Sequence, residues 1–115
     1  MKLVFIEAPA FARHRERYLD DPGFRRLQMT LLQQPDAGAV VPGTGGLRKL
    51  RWSDPRGGTG KRGGLRIWYR HLQDYGELWF FTLYDKGEVK DLTPREKVQL
   101  RDAVNAELSQ RRRSR

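Results

Sequence analysis

The sequence has 115 residues, 37% hydrophobic and 32% charged, with a formal net charge of +9. That length suits one domain with a modest core and excludes two, while three Trp, four Tyr and five Phe supply enough bulky anchors to exclude general disorder. No apolar run approaches the ~18 residues of a membrane span, and the absence of cysteine excludes a disulfide framework or thiolate metal site and fits a cytoplasmic setting.

The first stretch, MKLVFIEAPAF, carries one basic residue and a short apolar run broken by Glu7, so it reads as a strand rather than a signal peptide. Pro9 then stands where a first helical turn tolerates it. Phe11, Tyr18 and Leu19 fall near one helical face, and Arg13, Arg15, Glu16 and Arg17 fill much of the rest. Asp21 as N-cap with Pro22 at the first helical position opens a second helix. Phe24, Leu27, Leu31 and Leu32 recur along it at helical spacing until Pro35 closes the segment. A helical hairpin over roughly residues 9–19 and 22–34 is expected.

Asp36 to Gly46 is turn-rich, with a brief extended piece at Val40 to Pro42. Next, LRKLRW (Leu47–Trp52) and LRIWYRHL (Leu65–Leu72) flank a Gly-rich loop, the layout of a β-hairpin with a long flexible tip. After a turn at Gln73–Gly76, Leu78 to Tyr84 is the strongest strand in the chain, aromatic and uncharged, and should lie in the middle of a sheet. Thr93-Pro94-Arg95-Glu96 is a capping box, and Val98, Leu100, Ala103, Val104 and Leu108 trace an apolar stripe on the helix that follows. Past Leu108 the composition turns to Ser, Gln and Arg and predicts fraying. The chain reads as α+β with one mostly antiparallel sheet: a single domain over residues 1–108 and a basic, disordered tail over 109–115.

The positive charge is concentrated. Between Leu47 and His71 stand eight basic residues (Arg48, Lys49, Arg51, Arg56, Lys61, Arg62, Arg66, Arg70) against one acid, Asp54. Arg111, Arg112, Arg113 and Arg115 add four more, which leaves the remainder slightly acidic. Charge placed on one hairpin and one tail points to a bound polyanion. Alternation along the second hairpin strand puts Leu65, Ile67 and Tyr69 on a core face and Arg66, Trp68 and Arg70 on the other. An Arg-Trp-Arg row offers phosphate binding beside a base-stacking surface, as single-stranded nucleic acid requires; solvated arginines around a packed Trp68 are the plainer reading.

The loop SDPRGGTGKRGG contains a literal G-x-G-x-x-G (Gly58, Gly60, Gly63), but it opens no helix and so is no dinucleotide fingerprint. Nor is it a Walker motif, because Lys61 precedes Arg62 and not Ser or Thr. His14 and His71 lack visible partners, and no metal or cofactor is expected. Phosphodiester chemistry on RNA remains: a deprotonated 2′-OH attacks the adjacent phosphate, Arg and Lys stabilise the charge, and a Lys or Tyr moves protons. Tyr84, Lys86, Asp85 and Glu88 stand where the strongest strand ends.

Taken together, GTGGLRKLRW (Gly43–Trp52), GKRGGLRIWYR (Gly60–Arg70) and FTLYDKGEVKDLTPREK (Phe81–Lys97) resemble the RelE/ParE superfamily of toxins from type II toxin–antitoxin modules, the HigB-like branch above all. The resemblance covers nearly the whole chain. It implies a RelE-like fold, with an N-terminal helical hairpin and a C-terminal helix packed on a mainly antiparallel four-stranded sheet. It also implies a metal-independent endoribonuclease that cuts messenger RNA in the aminoacyl site of the small ribosomal subunit, inhibits translation and is neutralised by a cognate antitoxin, expected to be a helix-turn-helix protein. By position, Lys49 and Arg51 match the family's paired basic residues, Arg66 its phosphate-binding arginine, and Lys86 a lysine after the central strand. Gly87 departs from relatives that carry arginine there, and the C-terminal segment offers no tyrosine or histidine for proton transfer. The expected catalytic set is therefore Arg66, Lys86, Lys61 and Tyr84, with Arg48, Lys49, Arg51, Arg62, Trp68 and Arg70 binding RNA. A ParE-like inhibitor of DNA gyrase and a non-catalytic RNA-binding module are the alternatives, since fold alone does not separate them.

Overall fold

A computed structural model describes residues 2–53, 64–89 and 91–113, with side chains described as far as residue 110. The order is β1 (Val4–Glu7), α1 (Pro9–Tyr18), α2 (Asp21–Gln33), β2 (Ala39–Val40), β3 (Arg48–Trp52), β4 (Leu65–Leu72), a 3₁₀ turn (Gln73–Tyr75), β5 (Glu77–Asp85) and α3 (Pro94–Arg113). The strands form one sheet in the order β1-β5-β4-β3-β2. Only β1 and β5 pair in parallel; the other three pairings are antiparallel. The sheet thus has five strands, not four: the extended piece around Val40 pairs with Arg48 and Lys49 as a two-residue edge strand. The apolar run from Leu78 lies in β5, flanked by β1 and β4.

Local signals place the helix starts to within a residue or two. The second helix starts one residue earlier than its spacing suggests, because Asp20, not Asp21, is the cap. Asp20 is extended (φ −73°, ψ 175°), and its carboxylate accepts the Gly23 N–H at 2.7 Å. At α3 the capping box forms in both directions: the Thr93 N–H donates to Glu96 Oε1 (2.8 Å) and the Glu96 N–H to Thr93 Oγ1 (3.1 Å). That helix continues to Arg113, five residues past the point where composition predicts fraying.

Both faces of the sheet are covered. Against α1 and α2 pack Ile67, Tyr69, Leu78, Phe80 and Leu83, with Phe11, Phe24, Leu27 and Leu31 from the helices. The Phe11 and Phe80 rings stack at 4.8 Å, and Phe24 meets Phe80 edge-on at 5.4 Å. On the opposite face Trp68, Phe81 and Tyr84 pack with Leu47 beneath Val104, Leu100, Leu92 and Leu108 of α3 and the segment before it. A bulge keeps this partition consistent. Trp68 pairs with Thr82 and Tyr69 with Phe80, so Phe81 is the extra residue and turns toward α3. Tyr69 anchors the segment after α2, its hydroxyl donating to the Pro35 carbonyl (2.8 Å) and accepting the Gly38 N–H (2.9 Å).

Candidate nucleic-acid interface

Register decides which basic residues share a surface. Arg51 lies opposite Arg66, and Arg66 opposite Tyr84; one row along, Lys49 lies opposite Trp68, and Trp68 opposite Thr82. Directly opposed residues point to the same face, so Lys49, Arg51, Arg66, Trp68 and Tyr84 all project from the α3 side. Lys86 follows two residues after Tyr84, exposed, and its N–H donates to the Gly64 carbonyl at 3.2 Å. That bond ties it to the same end of the sheet as Arg66. Three expected residues, Lys49, Arg51 and Arg66, therefore share one face with Tyr84, and Lys86 is tied to the end of the sheet where Arg66 lies. Lys61 and Arg62, with the tip of the hairpin, lie outside the described residues.

Three expected residues lie apart from this group. Trp68 is fully buried under α3 and offers no ring to a base. Its face is not open because the apolar stripe of α3 needs an apolar floor, and Trp68, Phe81 and Tyr84 supply it. Arg70 shares that face but lies beyond Trp68, lining a small cavity with Trp79, Phe81, Val104 and Leu108. The covering helix divides it from the Arg66 group. Arg48 opposes Tyr69 and so points to the α1–α2 side. There its guanidinium donates to the carbonyls of Gly38 (2.7 Å) and Asp36 (3.2 Å) and pairs with the Asp36 carboxylate (3.6 Å). It holds a turn.

The hydrogen bonds at the open end converge on a residue that the sequence reading passed over, Asp91. The Trp68 indole N–H donates to the Tyr84 hydroxyl (3.2 Å), which donates in turn to Asp91 Oδ1 (3.2 Å). The same oxygen accepts the Leu92 N–H (2.8 Å) and lies 3.4 Å from Lys49 Nζ, and Asp91 Oδ2 lies 3.3 Å from Lys97 Nζ. Lys49 also sits over the Trp68 ring, 5.6 Å from its centroid. Nothing in the segment KDLTPREK marks Asp91 or Lys97 by spacing alone, because Lys49 is 42 residues away from the carboxylate.

The electrostatics follow from these contacts. Burial pushes the Tyr84 hydroxyl above its ordinary pKa. The Trp68 N–H opposes that shift, Asp91 reinforces it by charge and as hydrogen-bond acceptor, and the Arg66 charge opposes it. Tyr84 therefore stays protonated around neutrality and can give a proton but not take one. Desolvation disfavours the charge on Asp91, yet the Leu92 N–H and the Lys97 and Lys49 ammonium groups outweigh it and hold the carboxyl below its usual range. The surface is a cationic shelf with one ionised carboxylate set into it.

No protein-family model matches the sequence. Among solved structures, the chain is similar to Escherichia coli toxin RelE, determined in the free state as a variant with two arginines replaced by alanine. The superposition has a TM-score of 0.55 at 13% sequence identity and covers 86% of this chain and 97% of that one. The fold is RelE-like. Within it, the helical hairpin packs on one side of the sheet, and the cationic shelf lies on the other side beside α3. Among the described residues no helix is long and apolar enough to cross a membrane.

Proposed function

We infer that this chain is the toxin of a toxin–antitoxin module and acts as a ribosome-dependent endoribonuclease on messenger RNA. The observation that carries the reading is the cross-strand set Lys49, Arg51 and Arg66, with Lys97 beside it, on one face of a RelE-like sheet, and Lys86 at the end of the sheet next to Arg66. In the proposed reaction the RNA 2′-oxygen attacks the adjacent phosphorus as its proton passes to a water molecule. The P–O5′ bond breaks, and the 5′-oxygen takes up a proton. The cations stabilise the extra negative charge that builds on the phosphoryl oxygens, a role that requires no proton inventory. Arg66, buried at 5% exposure opposite Tyr84, is the fixed member; Arg51 and Lys86 are the exposed ones. A lysine on this shelf or the protonated Tyr84 supplies the proton to the leaving oxygen. Lys61 and Arg62 belong to the same proposal as residues of the hairpin tip.

The sequence stretches GTGGLRKLRW and YDKGEVKDLTPREK favour the HigB-like branch, a cytoplasmic site of action on the ribosome, and a helix-turn-helix antitoxin as partner. The test is induction of the chain in cells followed by mapping of message 5′ ends, with Arg51→Ala/Lys86→Ala as the inactive control. Both side chains are exposed, so this variant keeps its fold. New 5′ ends on translated messages, absent in the variant, are expected. Growth arrest without new ends, accompanied by loss of supercoiling activity, would replace this reading with gyrase inhibition. Retained cleavage in the variant would move the chemistry off the shelf.

A further inference from the structure

The Asp91 carboxylate occupies an unusual place for an acid in a surface built to hold phosphate. One oxygen faces Lys49 Nζ at 3.4 Å and the other faces Lys97 Nζ at 3.3 Å. The two lysines come from separate elements, β3 and α3. A carboxylate and a phosphodiester present the same feature to such a pair, an oxygen anion with two acceptor atoms. The side chain of Asp91 is 40% exposed, so it can leave without opening the core. Its anchors on the protein side are the Leu92 N–H and the Tyr84 hydroxyl, both neutral donors.

We propose that the Lys49–Lys97 pair is a second seat for an RNA backbone phosphate, beside the Arg66 group, and that Asp91 fills this seat as an internal stand-in anion until RNA displaces it. Building on the nuclease reading, this adds Lys97 of α3 as an RNA ligand and makes Asp91 a brake on binding. Lys49 and Arg51 are two residues apart on one strand face, a spacing of about 6.6 Å along the strand. That is close to the distance between neighbouring phosphates in an extended single strand, so one strand of RNA can engage Arg66 and Arg51 with one phosphate and Lys49 and Lys97 with the next. In the free chain the stand-in keeps two lysines from repelling one another; in the complex a phosphate does the same.

The experiment measures binding of a 2′-O-methyl oligonucleotide, which lacks the attacking hydroxyl and cannot be cleaved by this route. Fluorescence anisotropy over a salt series would be recorded for the wild type, Lys97→Ala, Asp91→Asn and the double variant. Lys97→Ala should weaken binding and make the slope of log K against log salt shallower by about 0.7, the value for one phosphate contact on a single strand. Asp91→Asn keeps an oxygen for the Leu92 and Tyr84 donors but removes the competing charge, and it should tighten binding about three- to tenfold. In the double variant that gain should be smaller than in Asp91→Asn alone. An unchanged slope in Lys97→Ala, or weaker or equal binding in Asp91→Asn, would overturn the proposal, because a purely structural Asp91 gives those results. The nuclease reading is judged separately by the 5′-end mapping. Oligonucleotide binding with the expected variant pattern but no cleavage would sink the nuclease and leave the seat standing.

Discussion

Replacing Tyr84 by Phe removes one oxygen and tests the chain of bonds that runs from the buried core to the shelf. In the wild type that oxygen accepts the Trp68 indole N–H at 3.2 Å and donates to Asp91 at 3.2 Å. Trp68 is 0% exposed, so water cannot take over as acceptor. A buried donor left without a partner costs about 1–3 kcal/mol. The second bond ends on a carboxylate that is 40% exposed, where solvent offsets most of the loss, and adds only about 0.5 kcal/mol. The expected destabilisation is therefore about 2 kcal/mol, or roughly 8 °C in Tm for a domain of this size. Urea unfolding at neutral pH measures the first quantity and calorimetry the second. Amide and indole hydrogen exchange adds a local readout, in which the Trp68 indole proton should lose protection in the variant. A loss below about 0.5 kcal/mol with Trp68 protection intact would refute the reasoning, since it would mean that the indole N–H never depended on Tyr84.

Three further outcomes are expected. Gly64 has φ +57°, and a Cβ there would lie 2.6 Å from the Trp52 carbonyl oxygen. Gly64→Ala should accordingly cost more than the ~1–2 kcal/mol of left-handed backbone alone, with a midpoint in urea unchanged from wild type as the contrary result. Arg48→Ala should lower stability by about 1 kcal/mol by freeing the Asp36–Gly38 turn, yet leave the salt dependence of RNA binding as in wild type; a shallower slope would return Arg48 to the interface. Stability should also fall at both ends of the pH scale. Asp91 is held below its ordinary value of 3.8, so its contribution is present above that value and lost as pH falls through the lowered pKa. Burial raises Tyr69 and Tyr84 above 10.0, so their contribution is present below that pH and lost as it rises through the raised values. In Tyr84→Phe the alkaline limb of a pH–Tm profile should become shallower; a steeper limb would contradict the sign.

Arg48, Lys49 and Arg51 show how far local pattern reaches. All three look alike as cations on one strand, yet alternation alone separates Arg48 from the other two, and that separation was available in the sequence. Trp68 is a different case. Its parity correctly puts it beside Arg66, but parity says nothing about whether another element covers that face. A clue existed: Leu78 to Tyr84 is apolar on both sides, the mark of a strand with no wet face. It argued that α3 would have to lie over the row that holds Trp68. Asp91 gave no such sign, since an acid three residues after another, Glu88, is ordinary.

The amino-acid order by itself determined the elements, because caps, prolines and the spacing of Phe24, Leu27 and Leu31 act within a few residues of each other. It determined as well that the cations crowd one hairpin and that Arg66 and Trp68 share a side. Only the folded chain decided which of those cations meet. β3, β5, the turn before α3 and the first turn of α3 bring Lys49, Tyr84, Asp91 and Lys97 together, while the rest of α3 seals Trp68 and lies against Arg70. The reason is one of range: propensity and periodicity are set by near neighbours along the chain, whereas burial and charge pairing depend on distant segments that become neighbours once the sheet is complete.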